Sequence, residues 1–378
     1  MPSLYLHYPF CVGKCRYCNF VSAPARDERE KELYIESLSR ELSLAAMTPG
    51  IGGREIPTLY FGGGTPSLMP VPALEKLMVT IRNLFPVAPG AEITVECNPG
   101  SQPEPARWLS AARGLGVNRA VAGVQSFDDE ALKFLGRPHN RAEAVDFLRA
   151  ARAAGFDSVG IDLIYGLPGR TGDAWRRDLD AAVSLGPDHV SIYCLEITAD
   201  TPLGRALSAG DFLEANPETQ AGMYFAACEI LESAGLRAYE ISNFARPGHE
   251  CRHNLVYWTG GDYLGAGLSA CSHLGGWRWE NERDIVKYKR KIAVGMLPRR
   301  FGEQLSPGRR LRERAIMALR TAAGFRLEPP RTDYERGLEA DLDLLAESGA
   351  LEKTATGEYR LPQRLRFVSD SVFSRIVG

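Results

Sequence analysis

The stretch LYLHYPFCVGKCRYCNF, residues 4–20, joins a short apolar segment to three closely spaced cysteines. The segment 4–7 predicts a first buried strand, because it is a short apolar and aromatic run. Cys11, Cys15 and Cys18 follow it with the spacing C-x3-C-x2-C. In barrels of parallel strands, the loops that leave the carboxyl ends of the strands form the active face. The stretch therefore predicts a metal site at the end of the first strand of an α/β fold.

Three cysteines are one ligand short of the four thiolates that hold a closed zinc site or an ordinary iron–sulfur cluster. A cluster held by three cysteines leaves one iron open to bind a second molecule. The alternative is a zinc ion completed by a distant histidine such as His7. The spacing alone leaves both interpretations open.

Short apolar runs alternate with amphipathic segments over the first two hundred residues, which is typical of repeated strand–helix units and a parallel sheet. Six such units predict a partial (β/α)6 TIM-like barrel over residues 1–240. The predicted strands are 4–7, 58–61, 92–96, 119–125, 158–165 and 189–196. The predicted helices between them are 27–47, 72–85, 103–115, 141–154 and 173–185.

Two further regions follow the barrel. Residues 241–304 are rich in glycine and aromatics and are expected to be an irregular connection. Residues 305–378 contain two helical patterns, a glycine-turned hairpin and a closing helix, which predicts a small, mainly helical, winged-helix-like domain. Its second helix, 334–348, carries five acidic residues and a single arginine, so it offers phosphates a poor surface and a packing role is favoured.

Composition excludes several classes of protein. The 378 residues carry 45 Lys and Arg against 47 Asp and Glu, a net charge of −2 that gives no general attraction to nucleic acid. No apolar run approaches the ~20 residues of a transmembrane helix, and Cys11, Lys14 and Arg16 interrupt any signal-peptide core. Eight cysteines without a secretion signal argue against a disulfide framework. We therefore expect a cytoplasmic protein without a transmembrane segment.

Polar residues stand within or directly after the predicted barrel strands. YFGGGTPS places a glycine turn after the second strand, where glycine allows close backbone approach. Glu96, Gln125 and Asp162 fall at or within the next three strands, where an unpaired polar group costs a few kcal/mol. Ligand contacts explain them better than filler, with a structural hydrogen-bond network as the alternative. Arg137 has the planar fork that suits bidentate pairing with a carboxylate.

The cysteine spacing, with Tyr17 before the third cysteine, resembles the radical S-adenosylmethionine superfamily. The longer string YLHYPFCVGKCRYCNF is similar to a narrower group within it, the oxygen-independent coproporphyrinogen dehydrogenases and the related haem chaperones. The resemblance implies a [4Fe-4S] cluster on Cys11, Cys15 and Cys18. It also implies an S-adenosylmethionine pocket formed by Tyr5, Tyr17, Gly63, Gly64, Thr65, Glu96, Gln125, Arg137 and Asp162.

Two departures and one motif favour the chaperone branch. The dehydrogenases have an N-terminal extension of several tens of residues, whereas this motif begins eleven residues into the chain. They also have a fourth cysteine where this sequence has Phe20. CRHNLVYW matches the H-N-x-x-Y-W motif of the haem chaperones, which implies haem binding by His253, Asn254, Tyr257 and Trp258. Cys251 is a second possible ligand, and a structural role for His253 and Trp258 is the alternative.

The leading hypothesis is thus a haem chaperone that delivers haem to acceptor haemoproteins and draws electrons from a donor such as flavodoxin or ferredoxin. Oxidative decarboxylation of the propionates of coproporphyrinogen III is the second hypothesis. A methyltransferase or other radical enzyme is the third. We expect no nucleic-acid partner, and the sequence leaves a monomer and a dimer equally open.

Overall fold

A twelve-stranded mixed sheet organises the chain in the computed structural model, which describes residues 2–25, 27–48, 50–329 and 332–377. The strand order is β14-β13-β12-β11-β1-β4-β5-β6-β7-β8-β10-β9. From β11 to β8 all neighbouring strands are parallel, and the strands added at both ends are antiparallel. The sheet is not closed, which confirms the predicted partial barrel.

The parallel strands carry the residues that form the site. Their apolar side chains form one core with the helices that connect them. The strands of the barrel and of the cysteine loop are β1 (Ser3–Tyr8), β2 (Phe10–Cys11), β3 (Ala23–Pro24), β4 (Ile56–Gly63), β5 (Val87–Cys97), β6 (Arg119–Gln125), β7 (Ser158–Tyr165) and β8 (His189–Cys194).

The helices between these strands bury one stripe each. In the first helix Ile35, Leu38, Leu42 and Ala45 are buried at three- and four-residue spacing, and Asp27 caps its amino end. Among the described residues, 3-10 segments occur at Pro66–Leu68 and Gln363–Val368. The barrel helices are α1 (Glu28–Ala46), α2 (Val71–Leu84), α3 (Pro105–Gly114), α4 (Asp129–Leu135), α5 (Arg141–Ala153), α6 (Gly172–Ser184), α7 (Pro202–Ser208) and α8 (Pro217–Ser233).

The region expected to be irregular, 241–304, contains short strands and helices that extend the sheet at both ends. These strands have only three to six residues, too few for a clear periodicity, so they depend on pairing with the barrel. β11 pairs in parallel with β1, directly beside the start of the cysteine loop. The elements here, with the preceding edge strand, are β9 (Arg237–Ala238), β10 (Asn243–Ala245), α9 (Arg252–Trp258), β11 (Tyr263–Ala266), β12 (Cys271–Leu274), β13 (Trp277–Asn281), α10 (Ile285–Ala293) and β14 (Arg299–Gln304).

The C-terminal part has the predicted order of two helices, a hairpin and a closing helix. Leu319, Leu338 and Phe373 belong to its separate apolar core, which Ile241, between β9 and β10, also joins. Its elements are α11 (Pro307–Leu319), β15 (Phe325–Arg326), α12 (Asp333–Glu347), β16 (Glu352–Lys353), β17 (Glu358–Arg360) and α13 (Ser369–Val377). None of the helices in the described ranges is both long enough and apolar enough to span a bilayer.

Candidate functional site

The three cysteines lie on one loop after β1. Each is partly buried, and the Cys18 amide donates to the Cys15 carbonyl at 3.2 Å, which makes a tight turn. The Arg16 amide donates to the Leu135 carbonyl at 2.9 Å and ties the loop to the end of α4. Within the described residues, no three His, Cys, Asp or Glu side chains converge on a point that would hold a metal ion. The loop gathers the thiols along the chain without preforming a ligand set, as is common where metal binding itself draws the ligands together.

Arg137 reaches from the loop after α4 to the carboxyl ends of β5 and β6. Its Nη1 lies 3.5 Å from the Cys15 sulfur, and its Nη2 donates to Asn98 Oδ1 at 2.8 Å and to the Gly123 carbonyl at 2.5 Å. The Asn98 amide in turn donates to Thr65 Oγ1 at 2.8 Å. The buried Nε of Arg137 has no partner in the described part of the chain. The guanidinium therefore keeps a donor available beside the cysteine loop.

The predicted glycine turn closes against the first strand and the cysteine loop. Gly63 has φ +112°, in the region that favours glycine, and its amide donates to Glu96 Oε2 at 3.1 Å. A methyl group at Gly63 would meet the His7 ring at 2.7 Å, and one at Gly64 would meet the Phe10 carbonyl oxygen at 2.8 Å. Neither position has room for a side chain, so the turn keeps its backbone close to the neighbouring loop.

Glu96 and Asp162 are acidic side chains in the interior of the sheet. Burial raises the pKa of Glu96 to about 7, although the Tyr60 hydroxyl donates to its Oε1 at 2.9 Å. Burial raises the pKa of Asp162 to about 6, against a hydrogen bond from Ser191. The two carboxyl groups also repel each other, since the charge of Asp162 contributes to the raised pKa of Glu96. Such shifts are common where charged ligands are bound.

Gln125 ends β6 in an unusual conformation. Its φ is +70°, one of two positive values among the described non-glycine residues, and the register slips between Gly123 and Gln125. A left-handed backbone costs an ordinary residue roughly 1–2 kcal/mol. Its Oε1 is also buried without a hydrogen-bond partner within the described ranges. Both costs fall on the same residue, which marks it as a candidate ligand contact.

The two predicted pocket tyrosines lie on different parts of the fold. The Tyr5 hydroxyl is 3.2 Å from His7 Nδ1, and its ring stacks on Tyr60 with centroids 6.0 Å apart. Tyr17 packs in the small apolar cluster under the cysteine loop and makes a hydrogen bond with Arg137. Tyr5 therefore belongs to the barrel interior, whereas Tyr17 is part of the cysteine loop and anchors it to the cluster beneath.

A cavity of about 860 Å³ opens beside these strand ends. Tyr5, Gly63 and Glu96 line it from the barrel side, and Tyr257 and Trp258 line it from α9. Residues of α11, in the C-terminal part, also line it. The volume lies within the range of about 300–1,000 Å³ usual for small-molecule and cofactor sites.

The H-N-x-x-Y-W residues divide between the cavity and its support. Tyr257 and Trp258 line the cavity, whereas His253 and Asn254 are not among its lining residues. His253 is buried, with Nδ1 2.8 Å from Thr58 Oγ1 and Nε2 2.8 Å from the Tyr257 hydroxyl. Burial lowers the pKa of His253 to about 3, so the ring is neutral. In this arrangement His253 fixes Tyr257 and does not face the cavity.

Cys251, the alternative haem ligand, also lies away from the cavity. It is 2% exposed, and its thiol donates to Glu92 Oε1 at 3.6 Å. Burial raises the pKa of this thiol to about 12. Phe20 differs: its side chain is 63% exposed and lines the cavity. Phe20 thus adds an apolar surface beside the pocket.

Several residues that line the cavity were not predicted as site residues from the sequence. Cys271 and His273 alternate on β12, and Arg310 and Arg314 lie four residues apart on α11. The two-residue and four-residue spacings are the available signals, since each places its pair on one face. Neither spacing identifies a site until the strand and the helix are known to face each other.

Comparison with known proteins gives consistent matches at the level of family model, sequence and solved structure. Residues 5–182 match the family model of the radical SAM superfamily. The heme chaperone HemW of Synechocystis is 35% identical over 331 residues, which cover 85% of this chain and 78% of that protein. The heme chaperone HemW of Bacillus subtilis is 32% identical over 384 residues, which cover all of this chain and all of that protein. The solved structure of the Escherichia coli coproporphyrinogen III oxidase HemN, a radical SAM enzyme, has the same fold, with a TM-score of 0.86 at 24% identity over all of this chain and 90% of that one.

Proposed function

The chain belongs to the heme chaperone HemW family of the radical SAM superfamily, and from that membership we propose that it binds haem and delivers it to acceptor haemoproteins. The 35% identity extends over 85% of the chain, and the 32% identity extends over all of it, including the C-terminal part. The function therefore concerns the whole molecule and not the barrel alone.

The resident groups are a [4Fe-4S] cluster and S-adenosylmethionine. The donor set fits the cluster, since three thiols share one loop and soft sulfur ligands suit iron–sulfur clusters. When bound, the two groups supply one-electron radical chemistry. The fit to S-adenosylmethionine rests on the buried Oε1 of Gln125 and the buried Nε of Arg137, which lack partners within the described ranges, and on the close approach at Gly63.

The pocket residues divide the recognition of that cofactor by charge. The acidic side chains Glu96 and Asp162 would hold the cofactor's positively charged groups, and Arg137 would pair with its carboxylate. Tyr5 and Tyr17 border the pocket, and Thr65 holds Asn98 in place beside Arg137. The cluster ligands are Cys11, Cys15 and Cys18.

One observation carries the haem assignment: the cavity of about 860 Å³ adjoins the glycine turn on one side and Tyr257 and Trp258 on the other. A broad cavity with aromatic walls suits a flat porphyrin, whose faces pack well on aromatic rings. Phe20 adds an apolar wall where the dehydrogenases have a cysteine. The remaining partners are acceptor haemoproteins and an electron donor such as flavodoxin or ferredoxin, and we place the protein in the cytoplasm.

The test separates the chaperone from the dehydrogenase. The full chain is reconstituted anaerobically with iron and sulfide and titrated with ferric haem by absorbance. The same preparation is incubated with coproporphyrinogen III, S-adenosylmethionine and a reductant, and a sample lacking S-adenosylmethionine is the control. We expect stoichiometric haem binding and no conversion to protoporphyrinogen IX. Robust conversion that depends on S-adenosylmethionine would overturn the proposal.

A further inference from the structure

Three histidines lie in or next to the large cavity, and two of them have both ring nitrogens engaged. His7 bonds the Tyr5 hydroxyl through Nδ1 at 3.2 Å and the Val21 carbonyl through Nε2 at 2.9 Å. His253 is similarly held between Thr58 and Tyr257. Neither ring presents a lone pair to the cavity.

The tautomer of His253 follows from its neighbours. The Thr58 hydroxyl donates its proton to Ser3 Oγ at 2.7 Å, so it accepts from His253 Nδ1–H. Nε2 is then the acceptor, and the Tyr257 hydroxyl donates to it at 2.8 Å. His253 is 1% exposed, so its surroundings contain almost no solvent. A metal bond at Nε2 would therefore require breaking the hydrogen bond from Tyr257 without water to replace it.

His273 has the opposite arrangement. It lines the cavity from β12, and its Nδ1 donates to the Gly261 carbonyl at 3.4 Å. Nε2 has no hydrogen-bond partner in the part of the chain that the structure describes. A histidine whose Nδ1–H is held by a backbone carbonyl is the usual form of a metal-binding imidazole, because the tautomer and the ring orientation are fixed.

Helix α11 supplies positive charge to the lining of the cavity. Arg310 and Arg314 line it from α11, and neither has a carboxylate within 4.0 Å in the described ranges. Arg278 also lines the cavity, but it is paired with Glu303 at 2.5 Å and Glu313 at 3.0 Å. The Arg314 guanidinium also lies 5.6 Å from the centre of the Phe325 ring. Without an ion-pair partner in the described ranges, the two guanidinium groups match a ligand with two carboxylates.

From these contacts we infer that the haem cargo is bound in this cavity with its iron on His273 Nε2 and its two propionates on Arg310 and Arg314. The macrocycle lies against Tyr257 and Trp258, so that H-N-x-x-Y-W forms the wall and His253 positions Tyr257. The inference rests on the proposed function, since it names the binding site of that same haem.

The first experiment follows the iron ligand. Ferric haem is titrated into the full chain and into His273→Ala and His273→Gln, with His249→Ala, a histidine outside the cavity, as the matched control. We expect Kd to rise at least tenfold in both His273 variants, with loss of the imidazole-type absorbance. Added imidazole should restore that absorbance in His273→Ala, which a purely structural role would not produce. His249→Ala should behave as the parent chain.

The second experiment follows the propionates. Haem and haem dimethyl ester are compared on the full chain and on the double variant Arg310→Ala/Arg314→Ala, with Arg309→Ala as the control on the same helix. The parent chain and the control should prefer haem to the ester at least tenfold, and the double variant should lose that preference.

The outcomes separate the two proposals. If the parent chain binds no haem, the proposed function fails and the inference fails with it. If the parent chain binds haem and both His273 variants keep its Kd and spectrum, the inference alone is overturned. The same holds if the imidazole spectrum is lost only in His253→Ala, or if Cys271→Ala removes a thiolate-type spectrum.

Discussion

Gln125 is a residue at which a role in binding and a role in stability can be tested separately. It has φ +70°, and its buried Oε1 lacks a partner within the described ranges. Gln125→Gly relieves the left-handed strain of roughly 1–2 kcal/mol, while glycine costs about 0.5–1 kcal/mol in chain entropy. We expect the free energy of unfolding in urea to change by less than about 1 kcal/mol. The affinity for S-adenosylmethionine, measured by calorimetry on the reconstituted protein, should fall at least tenfold.

A structural role for Gln125 would give the opposite result, namely a clear loss of stability and an unchanged affinity. Gly63→Ala is the comparison at the neighbouring strand end. The new methyl group would lie 2.7 Å from the His7 ring at φ +112°, so this variant should lose stability as well as affinity.

Residues of this kind could be predicted because parallel strands bring their carboxyl ends to one edge. Glu96, Gln125 and Asp162 stood out as polar residues in apolar runs, and the structure places all three in the barrel interior. The situation of His253 could not be read from its motif, because its partner Thr58 lies 195 residues away. For the same reason His273 was not predicted as a site residue, since a role in binding depends on which distant residues surround it in the fold.

At the scale of elements, a buried carboxylate fastens the first helix to the strands that extend the sheet. Glu41 of α1 accepts hydrogen bonds from the Tyr288 hydroxyl at 2.5 Å, the Gly267 amide at 2.8 Å and the Asn281 amide at 2.6 Å. The amphipathic pattern predicted α1, but not this polar position on its buried face. Its partners come from a region that the sequence described as irregular, up to 247 residues away.

Glu41 should make the stability of the fold depend on pH. Burial raises its pKa from 4.5 to about 7, so the folded state binds the proton more tightly than the unfolded state. The contribution of this group is complete below pH 4.5 and is lost as the pH rises to 7. Between pH 5 and pH 8 we expect the haem-free chain to lose roughly 3 kcal/mol through this group.

The measurement compares the free energy of unfolding in urea at the two pH values. Glu41→Gln cannot ionise, so its loss between pH 5 and pH 8 should be smaller than that of the parent chain by roughly 3 kcal/mol. Glu36→Gln, an exposed position on the same helix, should leave the pH dependence unchanged. Equal losses in the parent chain and Glu41→Gln would show that this carboxyl group ionises alike in both states.

At the scale of the whole molecule, the barrel and the C-terminal part share more than the cavity. The backbone of Glu240 pairs with that of Thr321, and the Arg320 guanidinium lies 5.0 Å from the centre of the Trp258 ring and 5.9 Å from that of Phe373. Arg320 thus connects the H-N-x-x-Y-W helix to the closing helix. The order of elements in the C-terminal part followed from the sequence, but its function as a cavity wall depends on these long-range contacts.

Because both parts supply walls of the cavity, haem should stabilise them together. A ligand at one hundred times its Kd adds about 2.7 kcal/mol to the free energy of unfolding, and at ten times its Kd only about half of that. In calorimetric melts we expect haem to raise the Tm of one transition that includes both parts. At the same haem concentration, His273→Ala should show about half of the stabilisation if its Kd is tenfold higher. Two separate transitions, of which haem shifts only one, would mean that a single part forms the haem site. That outcome would exclude a binding site between His273 and α11.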